Sequence, residues 1–150
     1  MKMLTGRQLL GLTVRDNSSG KSTGRICDIF GDPISGRIRG FGVSGDALFS
    51  RQMLLPASAV ESIGIRGVIA DVSSMKRLRA KGDTLLAWRG ALLRSEQGKD
   101  LGIISDVILD EGRVAALEIS GGVLADVADR RSVVSWDSVE ADKDGGFIRF

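Results

Sequence analysis

The stretch GKSTGRICDIFGD, residues 20–32, recurs as GKDLGIISDVILD, residues 98–110. Both read G-K-x-x-G-x-I-x-D-(I/V)-x-x-D. The match continues downstream. Gly36-Arg37-Ile38 corresponds to Gly112-Arg113-Val114, residues 54–61 to residues 133–140, and Gly67-Val68-Ile69 to Gly146-Phe147-Ile148. The offset drifts by a few residues only, and only at stretches that read as turns. A chain that repeats itself in this way is built from two copies of one small unit. The first spans residues 1–74 and the second 83–150, joined by a basic linker at 75–82.

The repeat disposes of the most tempting motif. Residues 18–24 read SSGKSTG, and Gly-Lys-Ser suggests a phosphate-cradling loop. The second copy has Lys99-Asp100 where the first has Lys21-Ser22, so a Gly-Lys-x-x-Gly turn required by the fold accounts for both. A phosphate loop also needs a glycine five residues before its Gly-Lys pair, and Arg15 stands there. No helical pattern follows that could offer an N-terminus to an anion.

Each copy reads as short strands between glycine turns. In the first, strands are expected at 12–15, 24–30, 37–43 and 54–55. A single helical turn follows at 56–60, then a hairpin pairing 60–63 with 68–71. The segment LLAWRGALL, residues 85–93, is the best helix candidate, but Gly90 and its alignment with the first copy's opening strand argue for extended chain. Twenty glycines against two prolines favour tight turns. Short strands with open edges aggregate unless the sheet closes, which predicts an all-β fold of two tandem small barrels with short helical turns. Aromatic residues are 5% of the chain, so aliphatic side chains must fill the interiors. The expected core is Ile26, Ile29, Ile38, Leu55, Val60 and Val68 in the first copy, and Ile104, Val107, Val114, Val134, Val139 and Ile148 in the second.

The order of these motifs resembles the PRC-barrel domain, the family named for the H subunit of the photosynthetic reaction centre. The residues that carry the resemblance are Gly24 to Asp32, Gly36 to Ile38, Leu55-Pro56 and Val60-Glu61. In the second copy they are Gly102 to Glu140, with Ser135 in place of the proline. The resemblance implies a small β-barrel that serves as an adaptor rather than an enzyme. Related domains pack against a membrane complex in the reaction centre and contact a ribosomal protein in a ribosome-maturation factor. No catalytic residues come with it, and no photosynthetic role carries over, because this chain has no apolar run long enough to span a bilayer.

The residue inventory points the same way. Histidine is absent, which removes the commonest general base and transition-metal ligand and excludes Ser–His and Cys–His nucleophile pairs. Neither a catalytic site, a metal site nor a cofactor is expected. Cys27 aligns with Ser105, so its position asks for a small residue, and a lone cysteine without a readable export signal suits a reducing cytoplasm. The paired aspartates, Asp28 with Asp32 and Asp106 with Asp110, are separated by about 13 Å along an extended strand. That is too far for one ion, so Asp28 and Asp106 are expected to bond backbone amides near a bulge, and Asp32 and Asp110 to start turns. Trp88 and Trp136 are expected at a barrel edge or between the copies.

Two surface readings remain. The loop SGGVLADVADRR, residues 120–131, is longer than its counterpart SGDALFSR, residues 44–51. Both carry an apolar pair, Val123-Leu124 and Leu48-Phe49, and Val127 would join Val123 on one face if the loop contains a helical turn; exposed, these residues would dock a protein partner, a second copy of the chain among the candidates. The alternative is ribosome or RNA association through Lys76, Arg77, Arg79 and Lys81. Against it, the net charge is only +2, with no broad basic face and no aromatic platform beside the linker, which argues against nucleic acid as a ligand.

Overall fold

The computed structural model describes residues 3–45, 51–78, 84–121, 132–143 and 145–150. Two seven-stranded sheets carry the chain. In the first copy, β1 (Leu4–Thr5) and α1 (Gly6–Leu9) precede β2 (Thr13–Asp16), β3 (Ser22–Gly31), β4 (Ile38–Ser44), β5 (Met53–Pro56), β6 (Val60–Gly64), β7 (Gly67–Ala70) and β8 (Lys76–Arg77). The second copy contributes β9 (Leu92–Ser95), β10 (Asp100–Asp110), β11 (Arg113–Ser120), β12 (Ser132–Ser135), β13 (Val139–Ala141) and β14 (Phe147–Arg149).

The two sheets repeat one topology. Strands run β6-β7-β2-β3-β4-β5-β8 in the first and β13-β14-β9-β10-β11-β12 in the second. In both, one pair is parallel, β2 with β7 and β9 with β14, and the others are antiparallel. The strands at the two ends of the shared path are consecutive in sequence. A single 3-10 turn joins them, Ala57–Ala59 between β5 and β6 and Trp136–Ser138 between β12 and β13. Each ring is thus completed by a covalent turn. The expected helical turn at 56–60 is this one.

Glycines sit where the backbone must bend or be approached closely. Gly24 and Gly102 stand at equivalent points of β3 and β10 with φ of 155° and 141°. A Cβ on Gly24 would come within 2.2 Å of the Ser44 carbonyl oxygen, so only glycine lets the strands meet there. Residues 85–93 are not a helix of any length. Leu85–Trp88 make one 3-10 turn and the chain is extended from Leu92.

The copies exchange their leading segments. β1 pairs with β10 of the other copy, matching Leu4 with Leu109 and Thr5 with Ile108. Reciprocally, Thr84 bridges Phe30 of β3, and Phe30 is the repeat equivalent of Ile108. Between these two arms, Ile38 N–H donates to Gly112 C=O at 2.9 Å and Val114 N–H donates to Gly36 C=O at 2.7 Å. Ile38 and Val114 are equivalent, as are Gly36 and Gly112, and Arg37 bridges its own equivalent, Arg113. The two copies are therefore related by a pseudo-twofold axis that passes between the two arginines.

One apolar core spans both rings. Of the expected core residues, Ile26, Ile29, Ile38, Leu55 and Val68 are buried, as are Ile104, Val107, Val114, Val134 and Val139. Two expectations fail. Val60 is only half-buried, and Ile148 is half-buried while its neighbour Phe147 points inward. The second follows from strand alternation: Phe147, and not Ile148, is the equivalent of Val68, and successive side chains face opposite sides.

Candidate functional site

The charged groups that sequence reasoning singled out are used to hold the fold. Asp28 and Asp106 sit at register shifts of β3 and β10, and each carboxylate accepts a 2.8 Å bond from the next residue's amide, Ile29 or Val107. The expected bulge role is what the structure shows. Each aspartate also receives the arm of the other copy. The Thr84 hydroxyl donates to Asp28. Arg7 donates to Asp106 from its backbone N–H at 3.2 Å and from Nε at 3.0 Å. Asp106 is fully buried and is also met by Arg89 at 3.3 Å, while Arg7 reaches Glu118 at 3.1 Å. A carboxylate taken out of water needs such partners to offset its lost hydration. The motif aspartate is thus a clasp for the exchanged arm, a role no spacing within one copy could reveal.

The remaining polar motifs close on themselves. The Asp16 carboxylate takes bonds from the hydroxyls of Ser18 and Ser19 and from the Ser19 amide. These bonds, led by the Ser18 hydroxyl, hold its pKa below the usual value. An acid therefore occupies the donors a phosphate would need in the SSGKSTG turn. Asp32 starts the β3–β4 turn as expected, accepting from the Ile34 amide at 2.9 Å, and that bond likewise lowers its pKa. The second hairpin turns more tightly, through Glu111 and Gly112 at φ 51° and 77°, the backbone of a two-residue primed turn. Cys27 is half-buried. Burial first, then the Asp28 charge, raises its thiol pKa, which is the reverse of an activated nucleophile.

Of the basic linker residues, Lys76 and Arg77 are exposed and form the edge strand β8 against Met53 and Leu54. They extend the first sheet rather than float free. Arg79 and Lys81 lie outside the described residues, and so do all five expected docking residues, Leu48, Phe49, Val123, Leu124 and Val127.

A feature that sequence reasoning missed stands at the junction of the copies. A groove of about 410 Å³ opens between β4, the Ala57–Ala59 turn, β6 and the β10–β11 turn. Its floor and walls are Ile38, Phe41, Ala57, Val60 and Ile63, closed at one end by Gly112. Glu61 and Glu111 stand at its rim, both exposed. The opposite face of the junction is filled. Trp88 and Trp136 stack with centroids 5.5 Å apart and planes 3° from parallel, and Phe147 meets both edge-on. Trp136 reaches across to Gly36 of the first copy. Of the two tryptophans expected at a barrel edge or between the copies, Trp136 thus packs between them and Trp88 stacks on it.

An all-β tandem of two rings, related by a pseudo-dyad and clasped by exchanged arms, defines the class: a duplicated small-barrel module. The family model for the PRC-barrel domain matches residues 1–76 and again residues 88–150, and the chain belongs to that family in two tandem copies. No curated protein matches the chain. Among the described residues, no helix is long and apolar enough to cross a membrane.

Proposed function

We propose that the protein is a non-enzymatic, cytoplasmic protein-interaction adaptor. Membership of a family whose domains often mediate protein contacts supports this reading. The observation that carries it is the groove on Ile38, Phe41, Ala57, Val60 and Ile63. It lies where two rings meet, is apolar within, carries the exposed Glu61 in its wall, and has the size of a recognition pocket. Among the described residues the buried carboxylates are held by internal bonds, Asp106 by Arg7 and Arg89 and Glu118 by Arg7, and in this reading the outer surface is the working part. The apolar loop residues Leu48, Phe49, Val123, Leu124 and Val127 extend the docking surface in this reading.

Affinity capture from the native cell tests it. The wild-type chain is expected to retain one defined protein at stoichiometric yield. Val60→Asp with Ile63→Asp, both half-buried positions that tolerate a charge better than the core, should lose that protein while keeping the wild-type circular dichroism. Val123→Asp with Leu124→Asp should weaken retention. Capture of no protein by the wild type would defeat the reading.

A further inference from the structure

The two copies differ in the 3-10 turn that completes each ring. The 3-10 turn after β12 begins with Trp136; the equivalent turn after β5 begins with Ala57. Trp136 lies against Gly36, where an added Cβ would come within 2.6 Å of the indole nitrogen. The equivalent glycine, Gly112, has a similar φ of 77°, yet a Cβ there meets nothing within 4 Å. The space that an indole fills beside Gly36 is therefore open beside Gly112, and that space is the groove. The neighbours report the same asymmetry. Val139 is buried in the second copy, whereas its equivalent Val60 is half-exposed in the groove wall.

We infer that the groove receives an aromatic side chain, an indole foremost, from a partner protein that carries a basic residue beside it. This deepens the adaptor reading and rests on it for the source of the side chain. The fold itself offers the precedent, because Trp136 occupies the dyad-related position, where the residues equivalent to the groove walls are Val114 for Ile38, Leu117 for Phe41 and Val139 for Val60, all in one core cluster with Trp136. A protruding tryptophan or tyrosine is also the side chain that most often anchors an interface in such a pocket. The sign of the flanking charge comes from Glu61, exposed in the groove wall, since complementary charge selects the partner and excludes its opposite.

The test uses the full chain with labelled isoleucine methyls and blocked tripeptides as probes. Lys-Trp-Lys should shift the Ile38 and Ile63 methyl resonances at millimolar concentration, and Lys-Ala-Lys should not. Glu-Trp-Glu should bind about threefold or more weakly, the range expected of exposed ion pairs. Ala57→Trp supplies the indole from within and should abolish the shifts. Should that variant fold poorly, Ile63→Lys, which puts a long cationic chain across the groove, should abolish the Ile38 shift instead. Silence at Ile38 and Ile63 overturns the inference, as do undiminished shifts in the filled variants or equal affinity for the acidic tripeptide. A concentration-dependent dimer abolished by Phe150→Ala overturns it in favour of a second copy of this chain, whose Phe150 is exposed. If Ala57→Trp still retains the native partner, the groove inference falls and the adaptor reading stands. If the tripeptide binds as described but no partner is captured, the adaptor reading falls and the groove chemistry stands.

Discussion

At the scale of the residue, equivalent positions carry unequal loads. Asp28 and Asp106 occupy the same motif position, but Asp106 is fully buried between Arg7 and Arg89, while Asp28 is half-buried and holds a hydroxyl and an amide. Removing one partner of a buried ion pair strands the other. Asp106→Ala is therefore expected to cost about 3 kcal/mol, at the low end for such pairs because Arg7 is half in water. Asp28→Ala should cost about 1 kcal/mol. Urea titration of both variants checks the inequality, and equal losses would refute the clasp as described. Cys27 behaves oppositely to a reactive thiol. Its folded pKa is raised above the ordinary 9.0. The unfolded chain thus gives up its proton first as the pH climbs, and folding stability declines above that value. Cys27→Ser, the residue found at the equivalent Ser105, should flatten this alkaline decline and leave stability at neutral pH within about 0.5 kcal/mol.

At the scale of the element, strands and turns were legible because each obeys a local rule. The G-K-x-x-G turns and the position of the 3-10 turn follow from glycine placement and alternation, and repetition counted each signal twice. Val60 escaped for a reason no local rule contains. Its equivalent Val139 is buried beside a turn that begins with Trp136, and the equivalent turn begins with Ala57. The groove was invisible for the same reason, since it is made by a small residue opposite a glycine of the other copy. This asymmetry is open to direct measurement. Gly36 and Gly112 both have left-handed φ, near 75° and 77°, so alanine at either costs about 1–2 kcal/mol of backbone strain. At Gly36 the new methyl also strikes Trp136, adding about 1–3 kcal/mol of overpacking. Gly36→Ala should therefore unfold at clearly lower denaturant than Gly112→Ala. Equal midpoints would mean that the two sites are filled alike.

At the scale of the whole molecule, the exchanged arms decide how the chain folds. Taken separately, a ring of this size is marginal, and each lacks part of what covers its central strand. β10 is completed by Leu4 and Thr5 from the first copy, and β3 by Thr84 from the second. One continuous core joins them. Nothing within one copy's sequence announces that its first residues belong to its twin, because the pairing is a property of the dyad and not of the repeat. Two rings that share a core and trade edges should melt together as one cooperative unit. Both tryptophans belong to the second copy, so their fluorescence reports on that ring and, through Trp136 beside Gly36, on the junction, whereas far-ultraviolet circular dichroism reports on both rings. The two signals are expected to share a single guanidinium midpoint. The sharper version places the perturbation in the first ring: Val14, fully buried there and remote in sequence from either tryptophan, is cut to alanine at a cost of about 2 kcal/mol. If the copies are one unit, the tryptophan midpoint falls by the full amount that circular dichroism records. If the rings are independent, the fluorescence transition stays where it was and circular dichroism splits into two steps.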